Sequence, residues 1–246
     1  MLTGWGAHVR RHAAIGAVEV ALVWPATVVA VAKLLPALAP GWFPQLGATV
    51  VNLVAAVPTL VLLKAWGMLR AGGVTGPGEL RRWPVLLPLV VVAGLTALPG
   101  IAGSTPTLIG GVLLVLSIGV SEELSSRALV LEVARPLGAL RAASLTAVLF
   151  GAEHLDNYLF FGAHSLTGTL WQMLEAGLFG FCLCAARLVI GSIWPLVLLH
   201  ALSDYTELYV PGGPPDWLQA LGMLVDLGLG LALLLWYGKN TPTAGT

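Results

Sequence analysis

The chain has 246 residues, of which 57% are hydrophobic and only 10% are charged. Average soluble domains carry about 25% charged residues, so this composition excludes a soluble globular protein and predicts a polytopic membrane protein. The net charge is zero, and nothing in the composition points to a nucleic-acid partner.

Apolar segments separated by polar or glycine- and proline-rich breaks predict an all-α protein with about eight transmembrane helices. The first segment, at 13–35, contains Ala30-Val31-Ala32, which resembles a signal-peptidase site. It is longer than a signal-peptide core, so a retained helix is favoured. The other seven predicted spans lie at 46–63, 83–98, 106–131, 140–155, 167–186, 193–205 and 217–237. No repeat or linker divides the sequence, which predicts a single transmembrane domain over 1–246.

The positive charges support this count and also indicate an orientation. In this topology the Lys and Arg residues lie on or near the cytoplasmic side, apart from Lys33, as the positive-inside rule requires. The four outer loops contain no Lys or Arg; they are 36–45, 99–105, 155–166 and 207–216. We therefore expect an integral multi-pass protein of the cell membrane with both termini in the cytoplasm.

The most unusual polar motif is Glu122-Glu123, at the end of a long apolar segment and followed by Arg127. Charged residues persist within a membrane where they pair, face a cavity or take part in chemistry. Glu123 and Arg127 are four residues apart, so they share a helix face and can pair. Glu122 lies about 100° further round the helix and is free of that pair. The alternative interpretation is a salt bridge at a helix end.

Two further motifs repeat the four-residue spacing. Phe150 precedes His154 on the fifth predicted span, and His200 precedes Asp204 on the seventh. At about 1.5 Å per residue, Glu122, His154 and His200 lie roughly 12–18 Å from the cytoplasmic ends of their helices. Because these depths agree, we expect the three helices to form one intramembrane polar chamber.

A chamber of this composition suits the hydrolysis of an amide bond. A glutamate without bulk water can act as a general base on a trapped water molecule, and a histidine with an aspartate can hold an oxyanion. The same side chains also suit a hard metal ion, although the sequence has neither His-Glu-x-x-His nor a Glu-x-x-His pair. We predict no cofactor and leave a divalent metal such as zinc open. A lone histidine in a membrane helix more often makes an interhelical hydrogen bond.

The series Glu122-Glu123-x-x-x-Arg127, Phe150-x-x-x-His154 and His200-x-x-x-Asp204 resembles the motifs of the CPBP intramembrane proteases, the CAAX-protease and bacteriocin-processing family. The resemblance implies a catalytic core at 106–206. It implies that Glu122 activates water, that Glu123 and Arg127 support it, and that His154 positions the water. It further implies that His200 and Asp204 stabilise the oxyanion, and we assign Phe150 to substrate binding. Ser126 and Ala128 depart from the family pattern, which has an aromatic residue and a glycine there.

The leading hypothesis is therefore an intramembrane endopeptidase that cuts a membrane peptide or a lipidated protein near the cytoplasmic face, in contact with the lipid bilayer. One alternative is a non-catalytic membrane regulator or bacteriocin-immunity protein. Another is an ion- or proton-coupled transporter, although no internal repeat supports it. Glu153 is expected at an interface or facing the lumen, whereas Glu175 and Asp226 are expected in buried pairs or a cavity.

Overall fold

A computed structural model describes residues 2–34 and 41–240, and all regular structure within these ranges is helical. Residues 36–40 of the predicted first outer loop at 36–45 lie outside the described residues. Twelve α-helices are described: α1 Leu2–Arg11, α2 Ala13–Ala21, α3 Val23–Leu34, α4 Leu46–Ala65, α5 Leu87–Thr96, α6 Thr105–Glu123, α7 Leu131–Ala134, α8 Ala139–Glu153, α9 Asp156–Leu159, α10 Leu166–Ile190, α11 Trp194–Tyr209 and α12 Asp216–Asn240. Short 3₁₀ segments occur at Leu80–Leu86 and Arg135–Leu137, and a π-helix spans Leu124–Val130.

Among the described residues, five helical segments are long and apolar enough to cross a membrane: Ala13–Leu34, Leu46–Ala65, Thr105–Leu137, Leu166–Ile190 and Asp216–Asn240. The other three predicted spans contain shorter helices, since α5 has 10 residues, α8 has 15 and α11 has 16. At about 1.5 Å per residue these are roughly 15–24 Å long, less than the 30 Å thickness of a hydrocarbon core. The all-α class is confirmed, and the count of eight crossings stays a prediction.

The short helices α8 and α11 lie among the long ones. Helix α11 packs against α5 and α6, and α10 packs against α8 and α12. Gly119 lets α6 approach α11 closely, because a Cβ atom there would lie 2.9 Å from the carbonyl oxygen of Val197. Large apolar side chains such as Leu224 and Leu235 face outward on α12. This arrangement, with apolar side chains outside and charged ones inside, is typical of a protein that lies in lipid.

The N-terminal helices close one side of the bundle. Ala17 and Val20 of α2 are fully buried in the core. Glu19, which has no obvious role in the sequence, accepts a hydrogen bond from Trp5 Nε1 at 2.8 Å and lies 3.1 Å from His8 Nε2. Its carboxylate therefore joins α2 to α1.

The connector between α4 and α5 is bound to the turn between α10 and α11. Arg187 Nε donates to the carbonyl of Gly72 at 3.1 Å, and Ser192 Oγ donates to the carbonyl of Gly76 at 2.7 Å. Two backbone bonds add to them, from Glu79 N to Ile190 O at 2.9 Å and from Ile193 N to Gly73 O at 3.1 Å. These bonds fix the start of α11, and with it the depth at which His200 lies.

Candidate active site

A buried ion pair forms the base of the site. Arg127 Nη1 lies 3.1 Å from Glu123 Oε1, and both side chains are fully buried. The pair predicted from the four-residue spacing is therefore present. A buried pair of this kind is retained only where further contacts compensate the two ions. Two other site residues contact them, while Glu123 Oε2 and the three Arg127 nitrogens make no hydrogen bond to the described residues.

The first of these residues is His200, whose Nδ1 lies 2.9 Å from Glu123 Oε1. A carboxylate only accepts hydrogen bonds, so Nδ1 carries the proton and donates. The second is Phe150, whose ring centre lies 4.1 Å from the Arg127 guanidinium carbon, within cation–π distance. Glu123 and Arg127 therefore fix the orientation of a histidine and a phenylalanine that come from two other helices.

The helix that carries these charges changes its winding at the motif. Helix α6 ends at Glu123 and continues directly as the π-helix Leu124–Val130, so Arg127 lies on a π-helical turn. The spacing was interpreted as plain α-helix, and in this respect the prediction was wrong. Single π turns inserted in α-helices are frequent at functional sites, because the wider turn displaces side chains from the regular helical positions.

Glu122 occupies the other side of the histidine ring. Its Oε2 lies 3.5 Å from His200 Nε2, and Asp204 Oδ1 lies 3.7 Å from the same nitrogen. Three carboxylates therefore surround one imidazole, with Glu123 at Nδ1 and Glu122 and Asp204 at Nε2. The Nε2 edge of the ring therefore faces Glu122 and Asp204, two carboxylates that line a cavity.

His154 approaches the same region from the end of α8, where it is the residue that caps the helix. Its Nδ1 lies 3.0 Å from the Phe150 carbonyl oxygen, so Nδ1 donates and Nε2 is left as the acceptor. The Phe150 ring stands edge-on to both His154 and His200, with centroid separations of 5.2 and 6.1 Å. Phe150 itself is only 2% exposed, and its assignment to substrate binding stays a prediction.

Two cavities meet at these residues. The α6-side cavity has a volume of about 570 Å³ and is lined by Glu122, Glu153 and Asn52 among others. The α12-side cavity has a volume of about 410 Å³ and is lined by α5 and α12 residues, including Asp226. The residues that line both are His154, Gln172, Glu175, His200, Asp204 and Glu207. Glu122, His154 and His200 therefore line one polar cavity, and its depth within a membrane stays a prediction.

Glu153 is the residue that the sequence interpretation placed wrongly at an interface or facing the lumen. Both of its carboxylate oxygens are buried without a hydrogen-bond partner among the described residues, and its side chain lines the α6-side cavity beside Glu122. Its position next to His154 could have suggested this, but α8 ends at Glu153, so regular helical spacing no longer holds.

Asp156 of α9 lines the same cavity but lies outside the long apolar helices. Partial burial raises the pKa of its carboxyl.

Within residues 2–34 and 41–240, no three His, Cys, Asp or Glu side chains are arranged to hold a metal ion. Among the side chains that could serve as ligands, Glu123 already contacts Arg127 and His200. Cys182 and Cys184 are buried free thiols in the core, as expected of small apolar residues.

Residues 104–206 match the family model described as type II CAAX prenyl endopeptidase Rce1-like. The matched range contains the predicted site residues Glu122, Glu123, Arg127, His154, His200 and Asp204. The resemblance seen in the motifs is confirmed by this match. A comparison with curated proteins finds no match.

Proposed function

We propose that the chain is an endopeptidase that cleaves a membrane-associated peptide by means of a glutamate-activated water. The match of residues 104–206 to the Rce1-like type II CAAX prenyl endopeptidase model supports this proposal, as do the long apolar helices of a multi-pass membrane protein. The observation that carries the proposal is the arrangement around His200. Glu123 holds one ring nitrogen, and Glu122 lies beside the other at the edge of a cavity.

In the proposed reaction, Glu122 removes a proton from a water molecule while the water oxygen attacks the carbonyl carbon of the substrate. His154 orients that water through Nε2, because Nδ1 is fixed by the Phe150 carbonyl. The carbonyl oxygen becomes an oxyanion, which accepts a hydrogen bond from His200 Nε2–H. The C–N bond then breaks, and Glu122 delivers its proton to the departing nitrogen.

The remaining site residues position the reacting groups. Glu123 keeps His200 in the orientation that directs Nε2 to the cavity, and Arg127 balances the charge of Glu123. Asp204 lies 3.7 Å from Nε2, the nitrogen that donates to the oxyanion in this proposal. This mechanism requires no metal. The proposal includes these residue roles and a catalytic core at 106–206.

The positive-inside distribution supports a cytoplasmic location of both termini and of cleavage. The substrate in this proposal is a membrane peptide or a lipidated protein that enters a cavity from the bilayer. The cavities lie beside helices whose outward faces are apolar, which is consistent with such a route.

The test compares membrane proteomes of cells that express the wild type, Glu122→Ala or Asp216→Ala at matched levels. Asp216 is an exposed carboxylate at the start of α12 and is absent from the lining of both cavities, so it is the matched control. We expect new peptide termini near membrane segments with the wild type and Asp216→Ala and not with Glu122→Ala. Equal sets of termini with all three proteins, each folded and abundant, would refute the peptidase and favour a non-catalytic role.

A further inference from the structure

The α12-side cavity is rich in carboxylates that the proposed reaction does not use. Glu175 of α10, Glu207 of α11 and Asp226 of α12 line it together with Asp204. Glu207 lies within electrostatic range of the other three. None of the described residues that line this cavity is Lys or Arg. Four carboxylates from three helices therefore face one space. The basic side chains among its described lining residues are His154 and His200, and His200 is already engaged by Glu122 and Glu123.

Among these carboxylates, Asp226 is the one that most clearly lacks a binding partner. It is only 8% exposed, and its Oδ1 is buried without a hydrogen-bond partner among the described residues. A buried polar atom that lacks a partner costs free energy, so native structures rarely leave one unless something else binds there. Asp226 lies on a helix with apolar neighbours on both sides in the sequence, where an unpaired carboxylate is especially costly.

The missing partner has the chemistry of an organic cation. Within the described part of the chain, no three of these carboxylates are arranged to hold one metal ion. A long side chain that ends in an ammonium or guanidinium group suits them better, since it can lie along the cavity and donate to several oxygens in turn.

The position of the cavity identifies the molecule that carries this cation. Asp204 and His200 line both cavities, so the α12-side cavity begins at the proposed oxyanion site. We propose that it is a substrate subsite for a Lys or Arg side chain close to the scissile bond, with Asp226 and Glu207 as the residues that determine this specificity. The inference rests on the proposed function, since it assigns a substrate class to the same site.

The experiment uses the full chain in nanodiscs of zwitterionic phosphatidylcholine, so that lipid charge does not attract the probe. The probes are three fluorescent peptides with one apolar helix of about 20 residues, which differ only in a flanking Lys, Gln or Glu. Binding is measured in the Glu122→Ala background, where cleavage cannot interfere. It is repeated after adding Asp226→Asn, Glu207→Gln, both together, or the control Asp216→Asn, which removes a carboxylate of α12 that lines neither cavity.

We expect the Lys peptide to bind at least about tenfold more tightly than the Gln peptide, and the Glu peptide to bind more weakly than either. In the Asp226→Asn/Glu207→Gln protein the preference for Lys should fall to about twofold or less, while Asp216→Asn should preserve it. If Asp226→Asn does not fold, Glu207→Gln alone should still lower the preference by about threefold. Equal binding of Lys and Gln peptides, no binding of the Lys peptide, or a preference that survives in the double variant would each overturn the subsite.

Cleavage of the same peptides by protein with Glu122 intact separates the two proposals. A preference for Lys in binding without any cleavage would refute the peptidase while preserving the cation subsite. Cleavage of all three peptides at equal rates would refute the subsite while preserving the peptidase.

Discussion

Replacement of Arg127 by methionine tests whether the buried ion pair supports the site. Methionine has a similar length and would keep most of the packing against Phe150, but Glu123 would lose its cation while remaining fully buried. Removal of one partner of a buried pair costs about 3–5 kcal/mol, because the other charge stays unpaired in a low-dielectric interior. For a chain of this size that corresponds to a fall in melting temperature of about 6–20 °C.

The measurement is thermal unfolding in detergent, followed by the fluorescence of the nine tryptophans. The double variant Glu123→Gln/Arg127→Met is the informative comparison. It carries no unpaired charge, and the glutamine oxygen can still accept from His200 Nδ1. We therefore expect the double variant to be more stable than Arg127→Met alone. A melting temperature of Arg127→Met within about 2 °C of the wild type, or a double variant that is the least stable of the three, would refute the reasoning.

Three other predictions concern the reaction and the packing. His200→Ala should lower the rate of peptide cleavage by about 10²–10³-fold, as for the loss of an oxyanion donor; a loss below tenfold in a folded protein would exclude that role. Chelation with EDTA during a cleavage assay should leave the rate unchanged, because the proposed base is Glu122; inactivation that zinc reverses would contradict this. Gly119→Leu should lower the thermal stability, since its side chain would collide with the Val197 carbonyl, whereas Gly228→Leu, where a Cβ meets no atom within 4 Å, should have little effect.

The sequence predicted contacts within one helix better than contacts between helices. The spacing of four residues was enough to pair Glu123 with Arg127 and to place His200 near Asp204. The depth estimate also brought three helices to one chamber. What it could not show was the bond from His200 to Glu123, because residues 77 positions apart meet only after α11 has packed on α6.

Other features depend on local interruptions of the helices, which an apolar sequence does not reveal. The π-helix at Leu124–Val130 has no sequence signal comparable to a proline or glycine, so regular α-helix was predicted. The end of α8 at Glu153 turned that residue toward the cavity instead of away from it. The short length of α5 and α11 likewise depends on where turns begin, which continuous hydrophobicity does not specify.

The contacts of Phe150 make the site one thermodynamic unit. Its ring touches the Arg127 guanidinium and stands edge-on to both histidines, so three polar groups from three helical segments share one apolar neighbour. Substitutions of residues that share a partner do not add in free energy. Sequence changes at this site are therefore expected to be epistatic. The effect of any replacement of His154 or His200 will depend on which residue occupies position 150.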